Sequence, residues 1–401
     1  MGWISNVLSD WIKPKESLDL THKVFSNGLG LISQVMKNKL GSGEIGLFFG
    51  TGSTAEQLQK MPSGTAHLLE HVLVAGIDPQ DLRDFQIGGV TTKNYIGIIG
   101  RAQKQNQAKL ATVLLECLNP ARITEQSIGK EKVRVEQEVL NTESDLSTYF
   151  EHLLGLVYKD TSLATPILGT AADRQAINRT HLLSFLNSIT SPTNVFLVAR
   201  GDVQPQALMQ LIQRLPKPKP LSTPVISSKT LTNSSTPTSQ SADLSFSSTS
   251  VSIPSAQLSS GCLVGFRAPA CTTSQSYYTF LLIKSILMQY LQARQQTAQV
   301  VFMNFKEGAF LGCFVSPALK IPLTKAAIKE IVLSQYQSHI KDLITQIPDN
   351  GLLLDLPTLF WTIASNRVPP TAQSLVKALQ NITAKDLITA INTLSDPTTL
   401  V

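Results

Sequence analysis

The chain has few charged residues and no concentrated basic region. Charged residues make up 15% of its 401 positions, and the formal net charge of +6 is thinly spread. Lysine and arginine form no run and are not interleaved with the aromatic residues, which account for 6% of the chain. Nucleic-acid binding depends on a clustered basic face, so it is not expected here.

Cysteine is also scarce. The four cysteines, Cys117, Cys262, Cys271 and Cys313, form no C-x-x-C pair, and they are too few and too scattered for a disulfide scaffold. They are expected to be ordinary buried thiols. A reducing, cytoplasmic setting agrees best with this usage.

Long apolar runs are missing as well. No stretch of about 18 apolar residues occurs, so no transmembrane helix is expected. The first twelve residues lack the basic start and apolar centre of a secretory signal. Trp3, Ile4, Val7, Leu8 and Trp11 do form one apolar stripe at helical spacing. We interpret it as a helix packed on protein, with peripheral membrane contact as the alternative.

An internal repeat indicates that the chain contains two related domains. Residues 177–194 align without gaps with residues 382–399, at an offset of 205 positions (382 − 177). Each copy is typical of an amphipathic helix, a proline turn and the start of a strand. Identical residues in the two copies are Ile177 and Ile382, Leu182 and Leu387, Asn187 and Asn392, Pro192 and Pro397, and Thr193 and Thr398.

Composition marks the boundary between these domains. Residues 216–260 begin with a proline-rich segment and continue with many serines and threonines and few charges, which is typical of a linker. We therefore predict an N-terminal domain at 1–215 and a C-terminal domain at 261–401. Mixed strands and helices in both halves predict the α+β class, with helices packed on the faces of sheets.

The most informative motif is His67-Leu-Leu-Glu70-His71, the H-x-x-E-H inverted form of a zinc-protease signature. On the helix predicted at 64–75, the two histidines lie one turn apart on the same face and can ligate one ion. Glu70 shares that face and is placed to act on water as a general base rather than to bind the metal. The motif predicts peptide-bond hydrolysis.

A third protein ligand is expected on the next acidic helix, predicted at 125–141. Glu131 and Glu138 are seven residues apart and in line with Val135, so both carboxylates are expected to face inward. Glu136 points elsewhere and is expected to lie on a solvated face.

With these motifs, the chain resembles the pitrilysin-type (M16) zinc metallopeptidases. Residues 64–71 are similar to the family's G-x-A-H-F-L-E-H core, and residues 52–56 resemble its G-S-x-x-E stretch. Residues 166–170 resemble its P-I-L-G-T segment, and residues 191–203 resemble the strand that closes its domain. The second half matches only in outline, so the expected fold is two related M16-type domains, of which the C-terminal one is degenerate.

The resemblance implies one Zn²⁺ per chain, held by His67, His71 and Glu138. It implies two catalytic carboxylates: Glu70 as the general base, and Glu131 as a group that orients a ligand. The region after the metal helix is shorter than in the family and lacks its Asn-Ala pair, although Gly88 and Gly89 remain.

Substrate binding is expected at an edge strand over residues 91–98, through Thr91, Thr92 and Asn94. In the second half, Arg294 resembles a substrate-holding arginine of the family, but Val301 stands where the family has a tyrosine. Peptide binding by this half is therefore expected to be weakened.

Family chambers resemble a clamshell of four such domains, and this chain supplies two. The resemblance implies a partner, either a second M16-like subunit in a heterodimer or a self-copy in a homodimer, and the degenerate second half favours the heterodimer. The expected function is that of a zinc-dependent endopeptidase for short or unfolded peptides, such as leader or targeting segments, like the zinc-bearing subunit of a two-chain processing peptidase. The alternative is a non-catalytic scaffold or binding subunit.

Overall fold

The computed structural model describes residues 19–36, 40–142, 145–159, 161–191, 193–215, 250–251, 261–294, 297–316, 323–346, 357, 359–360 and 372–400. The predicted linker lies outside these residues except at 250–251, and the apolar stripe near the N-terminus lies wholly outside them. Within the described residues, no helix has the length and apolarity needed to cross a membrane.

The first half is built on a six-stranded sheet. Its strands are β1 (Asp19–Val24), β2 (Gly30–Val35), β3 (Ser42–Phe49), β4 (Gly88–Thr91), β5 (Ile96–Gln103) and β6 (Val195–Gly201). They lie in the order β1-β2-β6-β3-β5-β4, with β2 parallel to β6 and the other neighbours antiparallel. The central strands β3 and β6 are buried on both faces over residues 45–49 and 195–199, which are mostly apolar.

Nine α-helices are described in this half. They are α1 (Thr54–Leu58), α2 (Thr65–Ala75), α3 (Pro79–Asp84), α4 (Gln107–Leu115), α5 (Glu125–Thr142), α6 (Leu146–Val157), α7 (Ala171–Ala176), α8 (Arg179–Ile189) and α9 (Pro205–Arg214). Apolar residues of α2, α4, α8 and α9 form one core with the side of β3 that carries Leu47 and Phe49. Helix α5 packs on α2.

The second half repeats this plan. It contains β7 (Ser250–Val251), β8 (Cys262–Ala268), α10 (Ser274–Gln292), β9 (Thr297–Asn304), β10 (Ala309–Ser316), α11 (Lys325–Gln346), α12 (Ala372–Gln380), α13 (Ala384–Asn392) and β11 (Thr398–Leu400). The order β7-β11-β8-β10-β9 matches β2-β6-β3-β5-β4, including one parallel pair at β7 and β11. The repeated sequence folds as α8–β6 in one half and α13–β11 in the other. The predicted α+β class and related domains are confirmed.

Each sheet has an outer face that is covered by the other half of the chain. On the first sheet, Phe48 and Phe196 pack against Phe360 from the second half, with the Phe48 and Phe360 ring centroids 4.8 Å apart. On the second sheet, Phe310 packs against Phe150 of α6. Each sheet therefore has its own core on one face and shares an apolar cluster with the other half on the opposite face.

Candidate metal centre

The start of helix α2 is fixed by a carboxylate from outside the helix. Gly64 precedes the helix with φ +89°, and a Cβ there would lie 2.8 Å from the carbonyl oxygen of Leu168. Glycine has no side chain to accept the first N–H groups of the helix. Glu56 does so instead, accepting from Gly64 N at 3.1 Å and Ala66 N at 2.6 Å. Burial raises the pKa of Glu56 to about 8, against the effect of these two hydrogen bonds.

The three predicted ligands lie together. Nε2 of His71 is 3.1 Å from Oε2 of Glu138, and Nε2 of His67 is 3.6 Å from the same oxygen. One donor atom from each residue lies within 4.8 Å of the others. In a tetrahedral zinc site with bonds of about 2.0–2.1 Å, neighbouring ligand atoms are about 3.3 Å apart. Two imidazoles and a carboxylate at these distances match the donor set and spacing of a zinc site.

Glu131 lies behind His71. It is 3% exposed, and its Oε2 is 3.4 Å from Nδ1 of His71. Its other oxygen accepts a hydrogen bond from Arg134 at 3.0 Å. A carboxylate at Nδ1 favours the tautomer whose Nε2 is free to bind a metal, as expected for a group that orients a ligand.

Glu70 lies outside the three-ligand cluster and against strand β4. It is 7% exposed, and its Oε2 accepts a hydrogen bond from Oγ1 of Thr91 at 3.0 Å. A Cβ at Gly89 would lie 1.9 Å from Oε1 of Glu70, so only glycine leaves room for this carboxylate. Burial raises the pKa of Glu70 to about 7, against the charge of His71 and the hydrogen bond from Thr91.

The two histidines have opposite pKa shifts. Burial lowers the pKa of His67 to about 4, and the charge of His71 makes a smaller contribution in the same direction. Burial also opposes protonation of His71, but its hydrogen bond to Glu138 and the charge of Glu70 outweigh that effect and raise the pKa. Without a metal, a proton is therefore held on His71 rather than on His67.

The three predicted substrate-binding residues near Glu70 lie in two different places in the structure. Thr91 is in β4 beside Glu70, whereas Thr92 and Asn94 belong to the turn between β4 and β5. Oγ1 of Thr92 accepts from the N–H groups of Asn94 and Tyr95 at 3.2 and 3.0 Å. The side-chain amide of Asn94 donates to the carbonyl of Asn304 in the second half at 3.2 Å. These two residues stabilise the turn and the contact between the halves.

The position of the edge also differs from the prediction. On the side of the sheet near Glu70 the edge strand is β4, and β1 lies at the opposite edge; residues 96–98 belong to β5, which pairs on both sides with β3 and β4. Sequence reasoning placed the edge too late because β4 is short and contains two glycines, which weakens any strand pattern.

The structure also gives the contacts of Arg294 and Glu136. Arg294 is exposed just after α10, with its guanidinium 3.5 Å from the centroid of the Tyr290 ring. Glu136 is not simply solvated, because Nε and Nη2 of Arg174 each donate to one of its oxygens at 2.8 Å. Sequence reasoning missed Arg174, which carries no motif of its own.

No model of a known protein family matches the chain. Among curated proteins, it is 24% identical over 215 residues to the mitochondrial-processing peptidase subunit beta of Neurospora crassa, covering 51% of this chain and 44% of that protein. It is 24% identical over 223 residues to the uncharacterized zinc protease YmfH of Bacillus subtilis, covering 54% and 49%. The chain thus spans about half the length of these relatives.

Solved structures resemble the whole fold. A putative M16-like peptidase from Alicyclobacillus acidocaldarius matches with a TM-score of 0.69 at 15% identity, over 97% of this chain and 99% of that one. A chain of complex III2 from Candida albicans matches with a TM-score of 0.71 at 14% identity, over 95% of each chain. At these identities the structures show likeness of fold alone. Together, sequence likeness over half the chain and fold likeness over nearly all of it confirm the predicted resemblance to the M16 zinc-protease family.

Proposed function

We propose that this chain is a zinc-dependent endopeptidase that cleaves short or unfolded peptides. The observation that supports this function is the convergence of His67, His71 and Glu138, with Glu70 beside them and outside the ligand set. Zinc, when bound, supplies Lewis-acid polarisation of water and of the peptide carbonyl. The relatives named as zinc proteases support the same reaction class.

The chain's own residues supply proton transfer and orientation. Glu70 accepts the proton that the attacking water loses and returns it to the leaving amine. In the metal-free site burial raises the pKa of Glu70 to about 7, so this carboxylate binds a proton more readily than an exposed one does. Thr91 orients the carboxylate through Oε2, and Glu131 holds the ring of His71 from behind.

Substrate binding is proposed at strand β4. It is one of the two edge strands of the sheet, and Gly89 and Thr91 within it lie against Glu70. An extended peptide that adds to this edge as a strand brings its backbone beside the general base. Because pairing to an edge needs an extended chain, short or unfolded peptides, such as leader or targeting segments, are the proposed substrates.

A second M16-like subunit is the proposed partner. Support comes from the relative named as a subunit of a processing peptidase. Such a subunit would close the site and hold the rest of the peptide, in a heterodimer. A homodimer is the alternative assembly.

The proposal is tested with the purified chain and two variants. Elemental mass spectrometry is expected to find about one zinc per chain in the wild type and in Glu70→Gln, and little in Glu138→Gln. Turnover of an unfolded peptide, measured with the partner subunit where one is required, is expected to fall about 10²–10⁴-fold in Glu70→Gln. A wild-type chain that binds no zinc would contradict the proposal.

A non-catalytic scaffold subunit is the second candidate. It is favoured by the fold likeness to a chain of complex III2 and by the use of Thr92 and Asn94 in internal contacts. This second candidate would be supported if the chain binds zinc but its assembled complex cleaves peptides equally well with Glu70→Gln.

A further inference from the structure

Residues 166–174, which we call the clamp segment, are docked against the start of helix α2. Oδ2 of Asp173 accepts a hydrogen bond from Oγ of Ser63 at 2.5 Å, and the backbone N–H of Thr170 donates to the same hydroxyl at 3.2 Å. Gly169 has φ +69°, and a Cβ there would lie 2.2 Å from the carbonyl oxygen of Ser63. The clamp segment is therefore in backbone contact with the residues that lead into the two histidines.

Arg174 ties the clamp segment to helix α5. It is 8% exposed, and its Nη1 donates to the carbonyl oxygens of Gly169 at 2.7 Å and Leu168 at 3.3 Å. Its Nε and Nη2 donate to the two carboxylate oxygens of Glu136, each at 2.8 Å. A bidentate guanidinium–carboxylate pair fixes orientation as well as distance. Besides the direct packing of α5 on α2, the guanidinium therefore joins the helix that carries Glu138 to the clamp segment, and through that segment to the start of α2.

Glu136 is well placed to control the direction of Glu138. The two residues are two positions apart, which is about 200° around a helix of 3.6 residues per turn. Holding Glu136 on one side of α5 therefore fixes the rotation of the helix, and with it the direction in which Glu138 leaves on the other side. The Glu138 side chain is 39% exposed, so packing alone restrains it weakly.

We propose that Arg174 is a positioning residue for the metal centre: its pair with Glu136 sets the rotation of α5 and so places Glu138 against His67 and His71. This inference rests on the proposed zinc site. The planar fork of arginine provides the positioning, so lysine, which has the same charge without the fork, is not an adequate replacement.

The test measures zinc affinity by competition with a chromophoric chelator. Arg174→Gln, Arg174→Lys and Glu136→Gln are each expected to lower the affinity about 10–100-fold, the range for groups that orient metal ligands. Because both partners act through one pair, the double variant Arg174→Gln/Glu136→Gln is expected to lose no more than either single variant.

The matched control is Lys132→Gln. Nζ of Lys132 donates to the carbonyl of Gln175 at 2.8 Å, so this residue also joins α5 to the chain just after the clamp segment, but through a single hydrogen bond. Lys132→Gln is expected to keep wild-type affinity.

A second comparison separates positioning from a general loss of structure. In a Glu138→Gln background, Arg174→Gln is expected to leave the residual zinc affinity unchanged, because the residue it positions no longer ligates. An equal loss in both backgrounds, wild-type affinity in Glu136→Gln, or an equal loss in Lys132→Gln would overturn the inference.

If Arg174→Gln does not fold, Glu136→Gln removes the same ion pair from its more exposed partner and decides the question. A wild type without zinc would overturn the proposed function itself, whereas zinc binding unaffected by these variants overturns only this inference.

Discussion

His71 carries the proton that competes with zinc at this site. Its pKa lies above the ordinary value of 6.5, through Glu138 and Glu70, whereas the pKa of His67 is lowered to about 4. Zinc binding must release the proton of His71. We therefore expect apparent zinc affinity to fall as the pH drops through the raised pKa of His71 and to be nearly flat above it. Chelator competition between about pH 5.5 and 8.5 checks this, and an affinity independent of pH across that range would contradict it.

Thr91 is expected to tune the general base. Its hydroxyl favours the ionised form of Glu70, so Thr91→Val is expected to raise the already elevated pKa of Glu70. The acid limb of the kcat/KM–pH profile then moves to higher pH, and the rate at neutral pH falls about tenfold, as loss of a hydrogen bond worth about 1.5 kcal/mol predicts. Thr91→Ser retains the hydroxyl and is the matched control. An unshifted profile in Thr91→Val would show that Glu70 is oriented by other contacts.

The site residues that sequence reasoning identified are those fixed by helical periodicity. His67 and His71 are one turn apart, and Glu131 and Glu138 are seven residues apart, so each pair shares a face whatever the rest of the fold does. Arg174 was not foreseen because its partner Glu136 is 38 positions away, and neither residue lies in a motif.

The start of helix α2 depends on a glycine that no other residue replaces. Gly64→Ala places a Cβ at φ +89°, 2.8 Å from the carbonyl oxygen of Leu168, and is expected to cost about 1–3 kcal/mol of stability. Gly129 is the matched control, because it lies within α5 and a Cβ there would meet only open space. Gly129→Ala is expected to stabilise by about 0.5–1 kcal/mol, since alanine favours helix. Denaturant unfolding of both variants tests the pair, and equal effects would contradict the prediction.

The sequence predicted helices well, because a helix is set by a local pattern, and predicted strand positions in the sheet less well. The predicted helices at 64–75 and 125–141 correspond to α2 and α5 within one residue at each end. The edge strand was misplaced because β4 is four residues long and contains two glycines, which leaves little strand pattern to read. The pairing of β3 with β6 could not be predicted either, because it joins residues about 150 positions apart. Local sequence contains no record of that pairing.

At the scale of the whole molecule, helix α6 is part of the first half of the sequence but packs on the sheet of the second half. Phe150→Ala, at a position 2% exposed against Phe310, is expected to cost about 3–5 kcal/mol. His152, exposed on the same helix, is the control, and His152→Ala is expected to stay within about 0.5 kcal/mol of the wild type. Thermal unfolding is expected to show one cooperative transition that shifts in Phe150→Ala. Two separate transitions, with only one of them shifted, would show that the halves unfold independently.

Because each half covers one face of the other half's sheet, the second half has a structural role that does not depend on catalysis. Were it removed, the aromatic surface around Phe48 and Phe196 would face water without Phe360, and an apolar patch of that kind favours aggregation. Arg294 is exposed, so substitutions there leave this shielding intact. The second half thus keeps water from an apolar face of the sheet beside the metal ligands, and this contact constrains its residues independently of any role in catalysis.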